Sequence, residues 1–108
     1  MQVTKLTEEK KTDRLKRLLR EYCSGLTDSA KGFETDVFEI VVWSTYRREI
    51  GKNLHLLSEE EKLKVLEADR IARQLAEKKR NSETGLGFRQ IVKAIEEYPI
   101  HKPSKTSS

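Results

Sequence analysis

Helix start and stop signals recur four times along this 108-residue chain, and each pair brackets an apolar stretch. A capping residue before, a glycine or proline after, and apolar residues repeating about every 3.6 positions leave the α-helix as the local solution. The pattern predicts an all-α fold: a four-helix, bundle-like single domain with a buried second helix and a long third helix. The helical domain spans residues 7–98. Residues 99–108 form a polar Ser/Lys/Pro tail with nothing to pack, expected to be disordered.

The first helix is expected over Thr12–Cys23, with Thr7 as an alternative start. Leu15, Leu18, Leu19 and Tyr22 fall at i, i+3, i+4 and i+7, which is one stripe. Gly25 stands where a left-handed terminator belongs, so Leu26–Glu34 reads as a loop. The second helix is expected over Thr35–Ile50, capped by Thr35 or Asp36 and stopped at Gly51. Its apolar residues, among them Val37, Phe38, Ile40, Val41, Val42 and Trp43, cover nearly every direction of the wheel. A helix apolar all round is a buried one. The rival is a buried strand over Val37–Thr45, since a short β-branched run is not typed by period alone. Only Lys52–Leu57 offers a partner strand, and it is a poor one.

The third helix carries the S-x-x-E capping box at Ser58 and Glu61. Acidic Glu59, Glu60 and Glu61 lie at its start, and basic Lys78, Lys79 and Arg80 at its end, which suits the helix dipole. Val65, Ala68, Ala72 and Leu75 form its seam. At about 22 residues, roughly 33 Å, it should be the longest of the four. The fourth helix is expected over Leu86–Tyr98, with a stripe of Phe88, Ile91, Val92, Ile95 and Tyr98. Pro99 ends it by pushing the preceding residue out of the helical region. An up-down bundle is the default packing and an orthogonal arrangement the alternative. No internal repeat is evident.

The chain carries 22 basic and 18 acidic side chains, a formal charge of +4. That balance permits contact with nucleic acid without demanding it. The one cysteine, Cys23, excludes an intrachain disulfide. The opening residues lack the apolar core of a signal peptide, and Val37–Tyr46 is too short to cross a membrane. A reducing cytoplasm is the expected location, with no membrane partner.

Chemistry-bearing motifs are sparse. Thr84-Gly85-Leu86-Gly87-Phe88-Arg89 is a glycine-rich turn opening a helix, where free N–H groups favour an anion. Its Gly-Leu-Gly-Phe resembles the carboxylate-binding loop of PDZ domains, but that loop works between strands this chain lacks. The plainer role is a sharp turn into the last helix. Cys23 and His55 are the only nucleophile and base to consider, and Cys23 sits at the end of an apolar stripe. His55 and His101 are too few and scattered for a metal cluster. The chain is therefore expected to be no enzyme, with no cofactor, no metal and no small-molecule substrate.

Two surfaces remain. Leu63 and Leu66 point away from the third helix's seam and follow Leu54, Leu56 and Leu57 closely. Either they form an apolar patch that meets another protein or a second copy, possible as a homodimer, or residues 51–57 fold back over them. The alternative is a nucleic-acid-binding regulator that holds backbone phosphates with Lys10, Arg14, Arg17 and Arg20 of the first helix, joined by Arg89 and Lys93. The basic excess lies at the two ends of the chain, +3 over residues 1–25 and +2 over residues 86–108. Convergence of those ends in a bundle would make the patch that counterion release requires.

Overall fold

The computed structural model describes the backbone of residues 3–101 and the side chains of residues 10–101. Four helices make up the fold: α1 (Val3–Ala30), α2 (Val37–Lys52), α3 (Glu59–Lys78) and α4 (Glu83–Glu97). A single 3-10 turn, Leu54–Leu56, joins α2 to α3. No strand occurs among the described residues, so Val37–Thr45 is helical. The helices pack as a ring in the order α1, α2, α4, α3. α1 thus lies across the bundle from α4, and α2 across from α3. Leu15, Leu19, Tyr22 and Leu26 of α1 meet Ile40 and Ile50 of α2 in one core with Val65, Ile71 and Ala72 of α3 and Phe88, Ile91 and Ile95 of α4.

α1 is longer than expected. It runs straight through Gly25 and is the longest helix, 28 residues against 20 for α3. Leu26 and Ser29 continue its buried stripe instead of opening a loop. Gly25 marks a close contact: a Cβ there would lie 2.3 Å from Trp43 Cζ2. The terminator is Gly32, at φ 99°. Phe33 N donates to Asp28 O at 3.2 Å and Gly32 N to Ser29 O at 3.1 Å, the paired bonds of a Schellman ending.

α2 starts where Asp36 accepts from Phe38 N at 2.9 Å. It passes Gly51 and ends at Lys52. Gly51 packs on Tyr98, where a Cβ would come within 2.2 Å of the tyrosine Cβ. The all-round burial expected of α2 is not found. Its fully covered residues are Ile40, Ser44, Arg47 and Ile50, whereas Phe38, Val41 and Val42 face outward. The apolar wheel records two apolar sides, of which the ring of neighbours covers one.

α3 begins as its sequence dictates. Glu61 N donates to Ser58 Oγ at 3.1 Å, and Ser58 N donates to Glu61 Oε1 at 2.9 Å. Such a cap contributes about 1 kcal/mol. α4 starts earlier than expected, with Ser82 accepting from Gly85 N at 3.3 Å. Gly85 and Gly87 therefore lie inside the helix and not in a phosphate-cradling turn. Gly85 sits against the Lys79 carbonyl and Gly87 against Ile40. Beyond Pro99, Ile100 packs into the core, so the polar tail begins later than expected. Residues 102–108 of that tail lie outside the described residues.

Candidate functional site

The core contains an ion pair. Arg47 of α2 reaches across the ring to Asp69 of α3 with two parallel bonds: Nε to Oδ1 at 2.9 Å and Nη2 to Oδ2 at 3.0 Å. Nη2 also donates to the Tyr98 carbonyl at the end of α4, at 2.9 Å. From α1, the Tyr22 hydroxyl donates to Asp69 Oδ1 at 2.7 Å. Arg47, Asp69 and Tyr22 are all buried, and Arg47 Nη1 makes no hydrogen bond. Burial, reinforced by the neighbouring Asp69 carboxylate, holds the Tyr22 phenol well above its usual range. This network ties all four helices to one point. It is sealed from solvent and offers no access to a substrate.

The five leucines proposed as a surface do not form one. Leu57 is buried, Leu54, Leu56 and Leu66 are half-buried against the core, and Leu63 alone stands exposed. The cause is the 3-10 turn, which folds the segment after α2 back onto the bundle. The basic residues divide between two places. Lys10, Arg14, Arg17 and Arg20 are exposed along α1, and Arg89 and Lys93 along α4. Those helices lie on opposite corners of the ring, so the described basic residues of α1 and those of α4 do not share one patch. Arg14 lies 3.9 Å from Glu49, and Arg89 donates to the Arg80 carbonyl at 3.1 Å.

Cys23 lines an open groove of about 590 Å³ between α1 and α3. Its thiol faces the Lys64 carbonyl, with Sγ to O 3.6 Å, and not His55. Burial pushes the thiol up to about 11, aided by the charge of Asp69. At neutral pH the sulfur is therefore a protonated thiol, the unreactive form. No cluster of three or more potential metal-ligating side chains occurs among the described residues. Nor is any described helix long and apolar enough to cross a membrane.

The feature the sequence reading missed is the outer face of α2. Phe38, Val41, Val42 and Thr45 follow the i, i+3, i+4, i+7 rule and turn away from the core. Phe38 is 76% exposed, and Val41 and Val42 are 41% and 43% exposed. Phe33, at 65%, precedes them in the loop. Beside this stripe a cleft of about 280 Å³ opens between α2 and α1, lined by Glu21, Phe38, Glu39, Val42, Trp43 and Tyr46. Trp43, expected to be swallowed, is half-buried in that cleft, its inner edge pressed on Gly25. The available signal was the 38/41/42 spacing itself, a second apolar stripe displaced from the Ile40–Ser44–Arg47 stripe.

Compared with known proteins, the chain matches no family model, no curated protein and no solved structure.

Proposed function

We propose that the chain is a non-enzymatic interaction module that binds another protein through the outer face of α2. The observation that carries this reading is the uncovered Phe38–Val41–Val42 stripe on a helix whose other side is fully packed. A contiguous apolar surface costs free energy in water and is the usual mark of a contact waiting for a partner. The partly buried aromatic ring of Trp43 beside it adds the kind of residue that anchors interfaces. Leu63 lies on α3 and outside this stripe. The absence of an activated nucleophile at Cys23 supports a binding role over a catalytic one.

Binding of nucleic acid is the weaker reading. Its basic side chains stand on opposite corners of the ring, and Arg14 already has Glu49 nearby. Site-specific photo-crosslinking in cells that express the chain natively separates the two. A photoreactive residue at position 38 or 42 should capture a discrete protein adduct, and one at position 63 should not. Adducts from positions 17 and 20 to nucleic acid, with none from 38 or 42, would overturn the proposal.

A further inference from the structure

The carboxylates around the α2 face say what kind of protein fits it. Between Gly32 and Tyr46 the sequence carries Glu34, Asp36 and Glu39 and not one Lys or Arg, although the whole chain is basic. Glu21 of α1 joins Glu39 at the cleft. Glu21, Glu34 and Glu39 have no ion-pair partner among the described residues. The arginines of α2 are committed elsewhere, Arg48 to Glu97 at 2.8 Å and Arg47 inside the core; on α1, Arg14 lies beside Glu49, while Arg17 and Arg20 stand exposed next to Glu21. The face is thus apolar along its centre and acidic at its rim. Two carboxylates, Glu21 and Glu39, line the cleft together with the partly buried ring of Trp43. An aromatic face with carboxylates beside it attracts an ammonium or guanidinium group by cation–π and Coulomb terms together.

The geometry also limits the form of the occupant. An extended peptide gains affinity by pairing its backbone with a sheet edge, and the described residues contain no strand. α2's own backbone groups are satisfied within the helix. Only side-chain contact is on offer, which suits an occupant whose backbone is likewise satisfied. The stripe from Phe38 to Thr45 spans two turns, roughly 11 Å, a fair match for the apolar seam of a short helix.

We infer that the outer face of α2 receives an amphipathic helix of a partner protein, and that a lysine or arginine beside its apolar seam enters the α1–α2 cleft over Trp43, between Glu21 and Glu39. This rests on the interaction-module reading and goes further in naming the partner's chemistry. A second copy of the chain is a poorer fit, since two such acidic rims would face each other.

The test uses the full chain and three labelled 18-residue helical peptides with the same leucine seam and Lys, Gln or Glu on the flanks. Fluorescence anisotropy gives affinities, and chemical-shift mapping of backbone amides gives the site. The Lys peptide should bind and perturb amides near residues 21 and 38–46, with the Glu peptide at least roughly tenfold weaker. The double variant Glu21→Gln/Glu39→Gln should weaken the Lys peptide by roughly three- to tenfold and leave the Gln peptide unchanged. Phe38→Ser should weaken both. Equal binding of Lys and Glu peptides, an unchanged affinity in the double Gln variant, or shifts confined to Glu59–Glu61 of α3 would overturn the inference. Light scattering is the further arm: a dimer that Phe38→Ser dissolves would assign the face to self-association and overturn it too. Photo-crosslinks at position 38 alongside indifference to peptide charge would retire this inference while leaving the interaction-module reading standing.

Discussion

The two sides of α2 invert the usual order of a protein. The inward side buries a guanidinium, Arg47, with no exposed surface at all. The outward side offers Phe38 and two valines to water. A charge removed from water needs compensation: Asp69 and the Tyr98 carbonyl accept from Arg47, and Tyr22 in turn donates to Asp69. An apolar side chain left in water is tolerated when something outside the fold makes use of it. The contrast teaches that burial on this helix is assigned by neighbours and not by polarity. α4 and α1 close over one side, and none of the described residues closes over the other.

The largest expected effect comes from breaking the inner side. Asp69→Asn leaves Arg47 as an uncompensated buried charge and should cost about 3–5 kcal/mol of unfolding free energy, read by urea denaturation. Replacing both partners, Arg47→Met with Asp69→Leu, should recover most of that loss. A double variant no more stable than either single one would show that the pair is not the interior compensation described above.

A smaller effect tests how dry the neighbouring seam is. Burial pushes the folded Cys23 thiol up to about 11, against 9.0 for an unperturbed thiol. Because the folded value is the higher one, this contribution is fully present below about pH 9 and is lost as pH rises toward 11. Between pH 8 and 10.5 the decline should amount to about 2 kcal/mol. Cys23→Ala should flatten it when thermal or urea stability is followed from pH 8 to 10.5. Tyr22, raised for the same reason, adds a decline of the same sign at still higher pH. A wild-type curve as flat as that of the alanine variant would mean the thiol is solvated.

The smallest effect belongs to the outer side. Phe38→Ser and Val42→Ser should each leave stability within about 0.5 kcal/mol of wild type, since they remove no core contact. A loss several times larger would place these side chains in the fold's own packing and erase the contrast between the two sides.

The fold was legible wherever a local rule sets the outcome. Ser58 with Glu61, Asp36 before Val37, and Pro99 after Tyr98 each act through bonds or clashes within a few residues, and each marks a boundary near its expected place. The glycines were not legible, because a glycine that ends a helix and one that lets a neighbour approach look alike in a single chain. At Gly25 the cue was the continuation of the stripe at Leu26 and Ser29, beyond the supposed stop. The side of α2 that faces solvent depends on where α1 and α4 land, and no local pattern encodes that. Arg47 and Asp69 are 22 residues apart and each looks like an ordinary surface charge, so their pairing is visible only in three dimensions. The leucines after Gly51 were legible as surplus apolar surface, but the turn that tucks most of them away was only one of two outcomes their sequence allowed.

Trp43 is the chain's only tryptophan. Its indole leans on the bare backbone at Gly25 and forms part of the cleft between the first two helices. The protein therefore carries an intrinsic optical probe at the seam where a visitor would settle. Ultraviolet emission from that one ring will shift blue when the cleft fills and red when α1 lifts away, so occupancy and disassembly are readable from the same unlabelled sample.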